Sequence, residues 1–463
     1  MLHISKKPSK QNIMLLKIAL PIIIQGLVFQ LQAIADKAFL GKIDTNYLSA
    51  VGIAQFPFFA SVDALSAICT GLTIIIAMKF GAGKRKEIHE NVNAAIAFNM
   101  LISLLLFVIW FTFSDEIFTL MNVNTELMQH CKDYVGIMSF FLILYGIDLS
   151  LQAALQGMGK TKPIMYIGLF KVLFNILLAW LLIFGKFGFP ALYVKGAALA
   201  TMISNLAGTL VLILYFVVSK ELSANIKLHE ILRLRWSLYK EVIRLGLPTG
   251  AEYLLWNISN LILVSLLNKQ NVEVVAVFTV TYTVELFVYV IFNGIARATL
   301  TLVGNSLGAG NAKAAKNIMT RSIRYSMLIA LIFSIMFAII PRPILGIFTN
   351  DNALINMSVF YLLIRGITLI PKALNVVVGS GNRANGDVKW MLYTQIFGSV
   401  FVVAFSYGLV NGLAAGVMAI YLTLFLDESL RAALNTIRFY KRDVFRALPF
   451  SAANRNKEIP AED

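Results

Sequence analysis

Five carboxylates stand inside long apolar stretches of this 463-residue chain: Asp36, Asp63, Asp148, Glu252 and Glu285. An ionised group at membrane depth is costly unless it is paired or hydrated, so such residues mark ion pathways, proton relays or buried ion pairs. Their spacing sorts them. Gln25, Phe29, Gln32 and Asp36 follow i, i+4, i+7, i+11 and share one helix face. A second stripe of the same spacing runs Glu252, Trp256, Ser259, Leu263. Thr281, Glu285, Tyr289 and Asn293 recur at i+4 with Tyr282 alongside, and Arg365, Thr368, Lys372, Asn375 and Gly379 recur at 3-4-3-4 spacing. Carboxylates on such stripes suit a network that responds to a proton or a substrate. Two readings of each stripe stay open: the lining of a cavity, or interhelical hydrogen-bond and ion-pair glue.

Not every intramembrane charge fits the first reading. Asp63 and Asp148 are equally compatible with satisfied packing, Lys37 and Arg297 with snorkelling to the interface. The Asp427-Glu428 pair lies within one turn of Arg431 and reads as structural. Lys171 and Asn175 are one turn apart, and Asn175 is the more suitable neighbour for Asp36. Enzymatic chemistry finds no footing: there is no phosphate-binding Gly-rich loop, no HExxH and no nucleophile elbow. His3, His89, His130 and His229 all fall in tail or connecting segments by hydropathy. Cys69 and Cys131 lack any CxxC spacing, so free thiols are expected, with no metal site and no cofactor. With no nucleotide site, the driving force is expected to be an ion gradient.

The elements that position these residues are legible in the hydropathy. The chain is 58% apolar and 14% charged, with 33 Phe and a mean hydropathy of +0.76, far from a soluble average. A membrane-spanning helix needs about 20 apolar residues. Twelve such stretches are predicted: 14–40, 47–78, 91–113, 134–157, 163–185, 196–219, 245–268, 275–305, 324–340, 354–380, 389–411 and 413–438. The first carries Asp36 and lacks a small-residue cleavage site, so it is expected to stay as a span. Between the third and fourth, Ser114 to Asp133 reads as a long outer loop with short helical pieces, echoed by 341–353.

Three landmarks recur at one offset: Pro21 and Pro248 (248 − 21 = 227), Gly81-Ala82-Gly83 and Gly308-Ala309-Gly310 (308 − 81 = 227), Gly159 and Gly386 (386 − 159 = 227). Agreement on one offset predicts tandem duplication of a six-span unit. The expected fold is an all-α membrane protein of twelve transmembrane helices in two six-helix bundles. The expected division is 1–219, a connecting segment 220–243 with an amphipathic surface helix (Leu228, Ile231, Leu232), 244–440, and a polar tail 441–463.

The net charge of +16 raises the question of nucleic acid, and its placement answers it. With both termini cytoplasmic, 29 of the 40 Lys and Arg fall on the cytoplasmic side and six on the other. That is the positive-inside bias. The partners expected are the lipid bilayer and small organic molecules, not nucleic acid, for a monomer in the cytoplasmic membrane.

At this point the sequence resembles the multidrug and toxic compound extrusion (MATE) family over about residues 10–440. ALPIIIQGLVFQLQAIADKAFLGKIDTNYLSAVGIA is similar to the family's opening, LQGMGKTK to its fourth connection, and GFPALYVKGAALAT to its fifth. NGIARATLTLVGNSLGAGNAKAAKN is the most specific match, with RANGDVK an echo of the fourth motif in the second half. The resemblance implies an antiporter that expels bulky, often cationic, organic compounds against inward protons or sodium. It places Asp36 on the family's ion-coupling acid and Asn175 on its hydrogen-bonding partner. Two departures weigh against sodium. Ala179 stands where many members carry a further carboxylate, and Lys372 stands where sodium-coupled members carry an acid, with Trp256 at their helix-seven acid. Proton coupling through Asp36 is therefore preferred. A flippase for lipid-linked oligosaccharides, of related fold, is the alternative; it would require a strongly cationic interior.

The topology is directly testable. A single cysteine at Lys84 is expected to resist an impermeant maleimide added outside intact cells and to react once the membrane is opened. Ready labelling from outside would invert the orientation.

Overall fold

The computed structural model describes residues 10–219, 228–268, 272–412 and 416–441, and those residues form helices without a strand among them. In order these are α1 (Lys10–Gly41), α2 (Thr45–Gly81), α3 (Arg85–Thr112), α4 (Ser114–Leu120), α5 (Thr125–Met138), α6 (Leu142–Gly157), α7 (Thr161–Phe184) and α8 (Tyr193–Val218). They are followed by α9 (Leu228–Ile231), α10 (Trp236–Asn268), α11 (Val272–Gly308), α12 (Ala312–Ile339), α13 (Pro341–Gly346), α14 (Asn352–Ala384), α15 (Val388–Gly412) and α16 (Gly416–Lys441). A single 3-10 turn, Ser139–Phe141, joins α5 to α6, so the two form one span. Counted so, eleven spans have the length and hydropathy to cross a bilayer. The twelfth long helix, α16, is interrupted by Asp427, Glu428 and Arg431.

The helices outrun the apolar stretches at their polar ends. The third begins at Arg85 and not at 91, and the ninth at Ala312 and not at 324, because hydropathy marks the membrane while the backbone ladder continues into water. His89 and His130 accordingly lie within α3 and α5, not in connections. The amphipathic helix expected across 220–243 is reduced, among the described residues, to the single turn α9, and α10 already starts at Trp236. Cys69 and Cys131 are buried free thiols.

The repeat is written into the backbone. Helices α3 and α12 begin 227 residues apart (312 − 85) and end 227 apart (339 − 112). The same offset links the starts of α5 and α14 (352 − 125) and of α7 and α15 (388 − 161). Gly83 and Gly310 hold φ of 71° and 73°, Gly159 and Gly386 of 73° and 77°. These are left-handed helix ends, a backbone conformation strained for any residue with a Cβ, which is why the glycines recur. The main-chain bonds that close them match too: Lys84 N to Lys79 O at 2.9 Å and Asn311 N to Ser306 O at 2.9 Å. Asn124 and Asp351, again 227 apart (351 − 124), cap α5 and α14 through their side chains.

Two compact units result: one comprises residues 24–80 and 84–250, the other 1–23, 81–83 and 251–463. Helices α1 and α10 each pass from one unit to the other, two residues beyond Pro21 and Pro248 (23 − 21 and 250 − 248). A proline inside a helix removes one rung of the main-chain ladder at that point. In the first unit the head of α10 lies against α2 with no side chain between them. A Cβ on Gly71 would meet Gly246 N at 2.6 Å, and one on Gly246 would collide with the carbonyl of Ile68. Gly246→Ala is therefore expected to lower the melting temperature of the purified protein, at a cost of about 1–3 kcal/mol typical of overpacking. Gly250→Ala, whose Cβ would find its nearest atom at 3.6 Å, is expected to melt within a degree or two of wild type.

Candidate functional site

In the unit containing residues 24–80 and 84–250, Gln25 of α1 lies against α7: a Cβ on Gly168 would meet its Nε2 at 2.8 Å. Phe29, 41% exposed, does not join the packed interior. Asp36 is half-buried, with Gln32 beside it one turn back. Its Oδ1 is buried without a hydrogen-bond partner. On α7, Asn175 is buried and donates through Nδ2 to Thr201 Oγ1 of α8 at 3.0 Å, while its own Oδ1 is also buried and unpartnered. Residues one turn beyond each of these, Leu40 and Ala179, pack in one apolar cluster with Ala197 and Tyr134. The Tyr134 hydroxyl accepts from Gln55 Nε2 at 2.8 Å and lies close enough to feel the Asp36 charge. Two buried acceptor oxygens in this unit, Asp36 Oδ1 and Asn175 Oδ1, thus stand without a hydrogen-bond partner, each one turn from a member of the same apolar cluster.

Asp148 and Lys171 are elsewhere and spoken for. Lys171 Nζ bonds Asp148 Oδ1 at 2.9 Å, Thr209 Oγ1 donates to the same oxygen at 3.2 Å, and Gln152 Nε2 holds Oδ2. The packing-satisfied reading of Asp148 therefore stands, and Lys171 is no partner for Asp36.

The other unit is organised along α14. Glu285 of α11 receives Arg365 Nη1 at 2.6 Å on one oxygen and Lys372 Nζ on the other. Lys372 also stands 4.0 Å from Glu428 of α16, which is 3.6 Å from Arg431; Arg431 in turn clasps Asp427 at 2.7 Å. Glu252 of α10 is bonded by Arg383. Asn375 donates to Glu428 Oε2 at 2.8 Å and accepts from Asn435 Nδ2 at 2.8 Å. The aromatic candidates crowd these cations. Trp256 and Tyr289 present their faces to Lys372 at 5.7 and 5.6 Å, and Tyr282 stands 5.8 Å from the Arg365 guanidinium. Ser259 is buried, but its hydroxyl turns back to Leu255 O at 2.8 Å on its own helix and does not extend the stripe.

Lys372 thus neutralises Glu285 and not Glu252. Sequence spacing missed the role of Arg383, although it continues the α14 stripe four residues past Gly379. It also read Asp427, Glu428 and Arg431 as a local cluster, where the fold joins them to α14. No group of three or more His, Cys, Asp or Glu suited to a metal occurs among the described residues.

The two units solve one packing problem differently. Asp148 and Asn375 occupy equivalent positions (375 − 148 = 227). The Lys171 stem fills space that a Cβ on Gly208 would meet. The equivalents of Lys171 and Gly208 are Gly398 (398 − 171 = 227) and Asn435 (435 − 208 = 227). There the room is taken from the opposite helix, and a Cβ on Gly398 would lie 3.0 Å from Arg431 Nε.

Removing one member of a buried pair leaves a charge uncompensated, at about 3–5 kcal/mol, while removing both can be neutral. Arg383→Met, which strips Glu252 of its cation, is expected to lower stability by that order in thermal melts. Lys372→Met should cost less, because Arg365 still holds Glu285. Adding Glu252→Gln to Arg383→Met should return most of the loss, whereas adding Glu285→Gln to Lys372→Met should deepen it, because Arg365 then loses its acid. Equal melting of all four single and double variants would refute the pairing.

The MatE family model matches the chain twice, over residues 21–181 and 248–408, which is more than half its length and repeats the offset (248 − 21 = 227). An uncharacterised transporter, YisQ, of Bacillus subtilis is 24% identical over 440 residues, covering 94% of this chain and 96% of that protein. A probable multidrug resistance protein NorM of Thermotoga maritima is 28% identical over 434 residues, covering 92% and 91%. Among solved structures, an outward-facing multidrug resistance MATE family transporter of the MOP superfamily superposes with a TM-score of 0.85 at 20% identity, covering 94% of this chain and 99% of that one. A MATE structure in the bent conformation gives 0.86 at 20% identity, covering 96% and 98%. At such identities the structures speak for the fold alone, and the paired family matches speak for descent: this chain belongs to the MatE family of membrane transporters.

Proposed function

We propose that the protein exports bulky organic compounds, often cationic, across the cytoplasmic membrane in exchange for inward protons. Both termini would be cytoplasmic, and the working unit a monomer. The observation that carries this reading is the pair of buried, unpartnered acceptors, Asp36 Oδ1 and Asn175 Oδ1, each one turn from a member of one apolar cluster. A proton on Asp36 would supply a donor there and remove a charge from an apolar setting, so loading and unloading it changes which packing the helices prefer. The opposite unit supports protons over sodium. Glu252, Glu285, Asp427 and Glu428 there are each already held by a side-chain cation, so a metal cation bound at any of them would have to displace one. That balance also speaks against the flippase alternative, which calls for a strongly cationic interior.

Asp36→Asn is expected to abolish efflux of a fluorescent organic cation from proteoliposomes driven by a pH gradient, while leaving binding of that cation measurable. Asn175→Ala should weaken the same flux without eliminating it. Wild-type flux in Asp36→Asn would sink the coupling role, and flux driven equally by a sodium gradient at constant pH would sink the preference for protons.

A further inference from the structure

One intramembrane carboxylate has no part in the coupling or in the buried networks: Asp63 of α2. It stands midway along that helix, 18 residues from Thr45 and 18 from Gly81 (63 − 45 and 81 − 63), or about 27 Å from either end at 1.5 Å per residue. It is exposed, and no hydrogen bond or ion pair holds it among the described residues, so the satisfied-packing reading fails for it. Tyr145 of α6 lies close enough to feel its charge. The exposed residues of α2 are Thr45, Asn46, Ser49, Gly52, Phe56 and Asp63. All but Asn46 fall at steps of four, three, four and seven, and so share one face. Phe56 is the one large apolar side chain among them, and a Cβ on Gly52 would find nothing within 4 Å. A helix that faces lipid looks different: α7 exposes Tyr166, Phe170, Leu173 and Leu177 at helical spacing. Beyond Asp63 the α2 stripe closes, and every residue from Gly71 to Lys79 is buried. The equivalent of Asp63 on α11 is Val290 (290 − 63 = 227), so the frame shared by the two units does not need an acid at this place.

We propose that the open stripe of α2 is a water-lined wall of the export path, and that Asp63, at its inner end, is a contact for the positive charge of the exported compound. This rests on the export reading above and assigns a specificity-determining residue to it. An unpaired, ionised carboxylate facing lipid at this depth would be costly, so the space beside Asp63 holds water or a solute cation. On the topology proposed above Thr45 lies at the outer end of α2. The stripe therefore leads from the outer surface to the middle of the bilayer and stops at the acid. Half-buried Phe59, one turn before Asp63, adds an aromatic side chain to the same face. The two acids of this unit differ in the partner they admit. Asp36 keeps one oxygen buried, which suits a proton, whereas Asp63 is open, which suits a bulky cation.

The test uses the full chain, in which Cys69 and Cys131 are buried, so wild type is the unreactive control. In intact cells Asp63→Cys and Ser49→Cys are expected to react from outside with a charged, impermeant methanethiosulfonate, and Leu173→Cys on the lipid-facing stripe is not. Silence at Asp63→Cys, or equal reaction at Leu173→Cys, would overturn the water-lined stripe. Binding is then measured without a gradient in phosphatidylcholine nanodiscs. The probes are 10-methylacridinium, a fixed cation, and acridine at pH 8, its uncharged counterpart. Asp63→Asn is expected to bind the cation about fivefold less tightly than wild type, the scale of one ion pair that keeps some water, with acridine affinity unchanged. Asp63→Cys given back a negative charge by a sulfonatoethyl reagent should bind the cation more tightly than the same protein carrying a trimethylammonioethyl group of similar size. Equal cation affinities in the two adducts would overturn the contact, and that comparison decides alone if Asp63→Asn does not fold. Loss of pH-driven flux in Asp63→Asn with both dye affinities unchanged would make Asp63 a proton carrier and equally overturn it. A cation contact that passes these tests, with no gradient-driven flux of either dye in wild type, would leave the site standing and sink the export reading instead.

Discussion

A charge that leaves water must be met by another inside the bundle, and in the unit built on α14 that requirement sets the arrangement of four helices. Arg365, Lys372 and Arg383 of α14 reach Glu285 on α11, Glu428 on α16 and Glu252 on α10. The three cations recur at intervals of seven and eleven residues, so they lie on one face. Rotating α14 by a single residue, about 100°, would carry all three away from their acids at once. Buried pairs of this kind add little net stability over apolar packing; here they fix the rotation and register of α14 against its neighbours. Stability comes instead from the apolar clusters on either side, Leu263, Phe278 and Tyr421 on one and Phe292, Phe337 and Leu369 on the other.

The first unit obeys the same constraint with fewer charges. One buried pair, Lys171 with Asp148, closes its own hydrogen bonds through Thr209 and Gln152. Asp36 has Gln32 beside it and one oxygen buried without a partner. A compensated network resists change because every rearrangement exposes a charge. A lone carboxyl in an apolar wall can respond to a single proton, because neutralising it removes the penalty outright. On the proposed coupling, a division of labour between the two units would follow from where partners were placed, not from any difference in backbone.

The backbone is indeed nearly the same in both. Left-handed glycines, Asx caps and helix starts repeat at one offset, and the family model matches both halves at that offset. Side chains diverged around this frame: the slot beside Asp148 is filled from α7 by Lys171, while its equivalent beside Asn375 is filled from α16 by Arg431 and Asn435. Turns and caps tolerate few residue types, so they persist. Interior polar groups need only be mutually satisfied, and many wirings achieve that.

This is also the line between what the residues alone determined and what the tertiary structure decided. Spans, repeat, the short helix that follows the third span, and the membrane class were legible because hydropathy, helical period and turn chemistry are local properties. The shared faces of Gln25, Gln32 and Asp36, and of Arg365, Lys372 and Asn375, were legible for the same reason. Which face meets which was not. That Lys372 serves Glu285, that Arg383 serves Glu252 and that Glu428 joins the α14 series depend on residues 53 to 131 positions apart coming together, and that α1 and α10 each change units just past a proline depends on packing too. A one-dimensional pattern gives the angle of a side chain about its own helix; only packing gives the neighbour it finds there.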